Sequence, residues 1–218
     1  MTATKIDLKH ELRELYLPGR KPQLIDVPEM AFIMIDGQGD PNTAPDYRDA
    51  IEALFAVAYT AKFTVKRMPG GVDFRVMPLE SLWWTTGSES LLATDKSGWS
   101  WTAMIMQPES VTSEIVDDAV LAAGRKRSLP ALEHLRYERF TEGSAAQLMY
   151  VGPYANEGPT IAALHAFIAE QGYTAVGKHH EIYLGDPRRT APQRLRTIIR
   201  QPVASGTQRD TGGPGLTR

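Results

Sequence analysis

Apolar positions along this chain switch between two periods, and the switches mark its elements. Ala31-Phe32-Ile33-Met34-Ile35 is an apolar run that stops at Asp36-Gly37-Gln38-Gly39-Asp40-Pro41. A run that short, bounded by a glycine turn, predicts a buried strand. Beyond it Tyr47, Ile51, Leu54, Phe55 and Ala58 recur at helical spacing. Thr43 is placed to cap that helix, with Pro45 in its first turn and Asp46 three residues after the cap. Phe74 and Val76 predict a second strand, and Leu82-Trp83-Trp84-Thr85 and residues 99–106 two more. The polar, glycine-bearing stretch 86–98 reads as the hairpin between the last two.

The second half follows the same rules. Residues 112–124 predict a helix, with Glu114, Asp117 and Asp118 near its start and Arg125-Lys126-Arg127 at its end. That charge order complements the helix dipole, so the basic triplet reads as a helix terminus rather than a nucleic-acid patch. Residues 136–140 and 146–151 predict strands, and 160–171 a helix with Ile161, Leu164 and Ile168 on one face and Gly172 as its stop. His179 to Leu184 alternates: His180, Ile182 and Leu184 on one face, His179, Glu181 and Tyr183 on the other. A carboxylate at mid-strand contributes nothing to a core unless it is paired. A last strand at 197–200 precedes Pro202.

The element order repeats. Strand, glycine turn, helix and two strands closing on Gln-Pro describe residues 31–108 and again 146–202; Ile105-Met106-Gln107-Pro108 echoes Ile199-Arg200-Gln201-Pro202. The expected fold is α+β: two tandem pseudo-symmetric β-α-β-β modules, about 31–110 and 136–203, joined by the helix at 112–124. Each module leaves one sheet face bare, and two such faces set together enclose a central cleft. Residues 1–30 are expected to be an N-terminal arm, with a short helix in 5–16 and a proline-broken extended part, and 204–218 a disordered tail.

Composition narrows the field. The chain has 218 residues, a formal charge of −2 and no cysteine. Disulfides, thiol nucleophiles and Cys-based zinc sites are thereby excluded. No broad basic field points to nucleic acid, and no apolar run or leader pattern points to a membrane or to export, so a cytoplasmic protein is expected. His165, His179 and His180 with Glu157 or Glu181 are the candidate metal ligands. His165 reads as a buried helix histidine, and the adjacent pair on a strand points to opposite faces, so neither metal nor other cofactor is expected. The Gly37-Gln38-Gly39 turn lacks the lysine and third glycine of a phosphate loop. No nucleophile elbow is visible.

Large flat or pliable side chains cluster instead. Trp83, Trp84, Trp101, Met104, Tyr154 and Tyr183, with Tyr150, describe a pocket for a flat, largely apolar molecule around Glu181. Several motifs then resemble the GyrI-like small-molecule-binding family. They are Asp36-Gly37-Gln38-Gly39-Asp40-Pro41, Met77-Pro78-Leu79-Glu80-x-Leu82-Trp83-Trp84, Tyr150-Val151-Gly152-Pro153-Tyr154-x-x-Glu157-Gly158-Pro159-Thr160, His180-Glu181-Ile182-Tyr183-Leu184-x-Asp186-Pro187-Arg188-Arg189 and Thr197-Ile198-Ile199-Arg200-Gln201-Pro202.

The resemblance implies a hydrophobic cleft with an acidic residue among aromatics, here Glu181, in a stand-alone branch that includes hydrolases opening the cyclopropane ring of DNA-alkylating toxins. Glu181 and Tyr150 are then the expected catalytic residues. Burial is expected to raise the Glu181 pKa and make it a better base, while a tyrosine donates to the developing oxyanion. The alternative is a passive binder that sequesters or senses hydrophobic or cationic drugs. A gyrase-binding inhibitor is a third reading on resemblance alone, with DNA gyrase as its protein partner.

Overall fold

The computed structural model describes residues 5–85 and 96–206. The tail from 207 on and most of the predicted 86–98 hairpin lie outside the described residues. The strands are β1 (Gln23–Val27), β2 (Met30–Gln38), β3 (Leu79–Thr85), β4 (Trp99–Gln107), β5 (Arg136–Phe140), β6 (Gly143–Val151), β7 (Tyr173–Ala175), β8 (His179–Tyr183) and β9 (Arg196–Ser205). The helices are α1 (Leu8–Glu11), α2 (Arg13–Tyr16), α3 (Pro45–Arg67), α4 (Ser113–Lys126) and α5 (Gly158–Glu170).

The fold is α+β, but the two halves do not face each other as separate sheets. Their strands run in one antiparallel sheet, β1-β6-β9-β8-β3-β4-β2-β5, with β7 added on β9. The order is palindromic about the β3–β8 contact: β2, β4 and β3 mirror β6, β9 and β8. Joining at β3 and β8 satisfies backbone groups that two separate sheets would leave bare at their edges. The expected arm is built into this sheet. Its Gln23–Val27 strand pairs with β6, a strand the proline-rich sequence concealed.

Register sorts the side chains. Glu181 stands opposite Ser81 and Ile199, Ser81 opposite Ala103, and Trp83 opposite Trp101. Residues paired directly across strands share a face, so all of these lie on one side. Helices α3 and α5 cover that side. Tyr47 of α3 packs on Trp83 and Trp101, and Leu164 and Ile168 of α5 cluster with Leu148 and Ile199.

The second side carries His180, Glu80, Leu82, Trp84 and Met104. The N-terminal arm closes over part of it. Tyr16 donates to Glu80 at 2.7 Å, and Gln147 and Arg200 donate to the carbonyls of Glu14 and Leu15 at 2.6 and 2.8 Å. Beneath the arm His180 spans Glu80 (3.0 Å) and Glu142 (2.9 Å), and Arg200 bonds Glu142 at 2.9 Å. All four side chains are essentially buried.

Four local expectations change. The α3 N-cap is Ala44 with no side-chain bond, and Asp40 instead ties Asn42 in the preceding turn. Phe74 makes an isolated parallel bridge with Ile6 rather than a strand. His165 is exposed, because the buried stripe of α5 is only Leu164 and Ile168. The last strand runs on through Pro202 to Ser205. Gly172 ends α5 as expected, with φ of 78°.

Candidate functional site

The site sits on the helix-covered face, where β8 and β3 meet between the N-terminal ends of α3 and α5. Alternation along β8 puts His179, Glu181 and Tyr183 there together. Tyr183 donates to Glu181 Oε2 at 2.8 Å, and His179 Nε2 lies 3.3 Å from Glu181 Oε1. Trp83 Nε1 donates to the Tyr183 hydroxyl at 3.2 Å. The Glu181 side chain is 14% exposed, so it lies among rings rather than in water.

Those rings form a continuous wall. Tyr154 meets Tyr183 edge-on at 5.5 Å, Tyr47 meets Trp83 at 5.3 Å and Trp101 at 5.0 Å, and Trp83 meets Trp99 at 5.5 Å. Tyr47 also shares a 2.8 Å hydrogen bond with Ser81. The Trp101 position depends on Gly37: a Cβ there would stand 2.2 Å from the indole. The Lys96 ammonium lies over Trp99 at 4.5 Å.

Electrostatics in the site depart from expectation. Burial pushes the Glu181 carboxyl up, but the hydrogen bond and electrostatic pull of His179, then the Tyr183 hydroxyl and Lys96, outweigh it. The net pKa is lowered, so Glu181 is ionised at neutral pH and is not the raised base the sequence led one to expect. The raised carboxyl is Glu157, at the start of α5 and 4% exposed. Burial first, and then the Glu181 charge, push it up to about 8; the neighbouring Thr197 hydroxyl and Lys96 act the other way. Burial likewise raises Tyr183 well above an ordinary phenol, with Glu181 adding to it, and pushes Tyr154 up to about 12, with Glu157 adding to it.

The anticipated residues divide between the two faces. Trp83, Trp101, Tyr154 and Tyr183 lie on the Glu181 face; Tyr183 bonds Glu181 directly, and Trp83 and Tyr154 contact Tyr183. Trp84 and Met104 do not: each is one step out of phase with Glu181 and lies on the far face. There Trp84 carries the Lys178 ammonium 3.4 Å over its ring, and Met104 is wholly buried opposite Glu80. Tyr150 is on the site's side, but its hydroxyl donates to the Pro153 carbonyl at 2.9 Å.

Tyr47, Trp99 and Glu157 also lie on the Glu181 side, although none was among the residues expected to bind or react with a ligand. Tyr47 looked like one more apolar helix position, and Glu157 stood out only within a motif and as a candidate metal ligand. Trp99 Nε1, Trp101 Nε1, Glu157 Oε1 and Thr197 Oγ1 are buried with no hydrogen-bond partner among the described residues. Unmet polar atoms of that kind cost free energy in a closed core and are tolerated where a ligand is received. His179 and His180 serve opposite faces, and among the described residues no cluster of His, Asp and Glu is arranged to hold a metal ion.

A buried carboxylate in an aromatic enclosure, on a sheet of palindromic order, is the architecture of a small-molecule receptor domain. The chain belongs to the GyrI-like family: the pattern of the GyrI-like small molecule binding domain matches residues 20–204. Among solved structures it is similar to an uncharacterised conserved protein from Listeria innocua, 40% identical with a TM-score of 0.85 over 92% of this chain and 100% of that one. A hydrolase from Listeria innocua is similar at 39% identity and a TM-score of 0.80, again over 92% of this chain and 100% of that one. The C-terminal domain of EcmrR shares the fold alone, at 12% identity and a TM-score of 0.50 over 85% of this chain and 98% of that one. No curated protein matches the chain. No helix of the described residues is long and apolar enough to cross a membrane.

Proposed function

We propose that the protein binds flat hydrophobic or cationic small molecules against the Trp83–Tyr47–Trp101 wall and hydrolyses those that carry an activated cyclopropane, as in DNA-alkylating toxins. The observation that carries this reading is Glu181: an ionised carboxylate, almost out of water, held by two hydrogen bonds among aromatic rings. Such a group attracts cations, which the ring faces also favour, and it is oriented to take a proton from water. Ring opening forms a bond from the water oxygen to a strained carbon and breaks one ring C–C bond. The released electron pair moves through the conjugated system onto the carbonyl oxygen. A 39% identical hydrolase of the same fold, matched over 92% of this chain and the whole of that one, supports an enzymatic role.

The second reading is a receptor without turnover. It is favoured by the lowered Glu181 pKa, which weakens the carboxylate as a base while leaving its charge for cation selection. Glu181→Gln separates the two. Incubation with a cyclopropane-bearing alkylator and mass spectrometry for one added water should show a rate loss of roughly 10²–10⁴-fold, about 3–5 kcal/mol of barrier. Quenching of tryptophan fluorescence by a neutral flat ligand should survive the change. Weakened binding of cationic ligands with no turnover by the unaltered protein would establish the receptor; unchanged turnover in the variant would refute the Glu181 mechanism.

A further inference from the structure

The step written above leaves one proton unassigned: the carbonyl oxygen that receives the electron pair must be protonated. The tyrosines lining the site are poor sources. Tyr183 gives its hydrogen to Glu181 and Tyr150 to the Pro153 carbonyl, while Tyr47 is paired with Ser81. The Tyr154 hydroxyl makes no hydrogen bond to a described residue, but burial holds it near 12, far from the working pH of a proton donor.

We propose that Glu157 is a second catalytic residue of this site, the carboxylic acid that delivers a proton to the ligand oxygen while Glu181 takes one from water. The inference rests on the hydrolytic reading above. Its geometric basis is the placement of Glu157. It opens α5, is 4% exposed, and has a carboxyl oxygen, Oε1, with no hydrogen-bond partner among the described residues.

Its neighbour Thr197 stands opposite Tyr150 on one flanking strand and Tyr183 on the other, so the Glu157 carboxyl lies on the Glu181 side of the sheet. The charged and titratable groups that face it are Glu181 and Tyr183 from β8, with His179 behind Glu181, Tyr154 from its own turn, Tyr150 from β6, and Lys96. Two carboxyls in such reach do not readily both ionise. One is held as a carboxylate by His179 and Tyr183, and the other keeps its proton at neutral pH. Environments that push two acids apart in this way are how one site supplies a base and an acid together. The cycle balances: Glu181 leaves with the water proton, Glu157 leaves as a carboxylate, the substrate gains one water, and passage of a proton from Glu181 to Glu157 restores the pair.

The test is the pH dependence of ring opening in the whole protein, with Glu157→Gln and Glu157→Asp beside it. A required acid makes the rate fall as pH rises past its pKa, so the unaltered protein should lose activity above about pH 8. Glu157→Gln should be slower by roughly 10²–10⁴-fold and lack that alkaline fall, Glu157→Asp should recover part of the rate, and fluorescence quenching by a neutral flat ligand should report an intact cleft in both. Infrared difference spectroscopy of the free protein between pH 6 and pH 10 should show one protonated carboxyl band that disappears in Glu157→Gln. Turnover with the same alkaline fall in Glu157→Gln, or no such band in the unaltered protein, overturns the assignment while leaving Glu181 as base. Absence of any turnover by the unaltered protein overturns the hydrolytic reading and this assignment with it.

Discussion

Replacing Glu142 by glutamine tests what holds the far side of the sheet. Glu142 accepts from His180 at 2.9 Å and from Arg200 at 2.9 Å and is 1% exposed. Both ring nitrogens of His180 face carboxylates, Glu142 on one side and Glu80 on the other. An ionised carboxylate only accepts, so the imidazolium, with two N–H donors, satisfies both. Burial would lower the His180 pKa, but Glu142 and Glu80 outweigh it and raise it to about 9. Burial would raise Glu142, but His180 and Arg200 hold it at about 2.

Glutamine keeps the shape and one acceptor but removes the charge that balances two buried cations. Breaking a buried pair from one side costs about 3–5 kcal/mol. His180 can escape part of this by losing its proton, because the Glu142 charge that chiefly raises its pKa is gone in the variant, so the low end of that range applies. A loss of about 3 kcal/mol is therefore expected in urea unfolding at pH 7. For a 218-residue chain it lowers Tm by about 6–12 °C.

The sign of the pH dependence is fixed. The raised His180 pKa contributes stability that is complete below the unfolded value of about 6.5 and is lost as pH rises through about 9. The depressed Glu142 pKa contributes stability present above about 4.5 and lost as pH falls through about 2. The gap between the unaltered protein and Glu142→Gln should be widest between about pH 4.5 and 6.5 and should narrow on either side. A Tm shift under about 2 °C, or a gap that does not change with pH, would refute the argument that these charges support one another.

Other substitutions probe the wall. Gly37→Ala places a methyl where the Trp101 indole now stands, at 2.2 Å; it should cost about 1–3 kcal/mol in urea unfolding and weaken fluorescence quenching by flat ligands. Trp83→Phe removes the 3.2 Å donor to the Tyr183 hydroxyl; loss of a neutral hydrogen bond of about 0.5–1.5 kcal/mol should loosen Tyr183 and reduce ring opening more than it reduces stability, as read by parallel turnover and thermal assays.

The candidate site was legible where its logic is local. Alternation alone placed Glu181 and Tyr183 on one face and His180 on the other, and both assignments hold. The aromatic excess pointed to Trp83, Trp101 and Tyr154, which the structure puts on the Glu181 side of the sheet. It misplaced Trp84 and Met104 because clustering in sequence says nothing of parity. Trp83 and Trp84 are neighbours that must point apart, and only the pairing of β3 with β8, which sets Ser81 opposite Glu181, decides which of them reaches the site. The charge state reversed for the same kind of reason. Burial argues for a raised Glu181, and it takes the His179 and Tyr183 contacts to reverse it and the proximity of Glu157 to move the raised pKa there.

By itself the sequence determined the periods, hence most elements, their tandem order and the family motifs, because each depends on residues a few positions apart. Tertiary structure decided that the halves join edge to edge through β3 and β8, that residues 23–27 supply an outer strand, and that Glu142, from the turn between β5 and β6, is shared by His180 and Arg200. These depend on hydrogen bonds and charges between residues tens of positions apart. Such interactions leave no period in the chain and take their strength from a burial that exists only once it has folded.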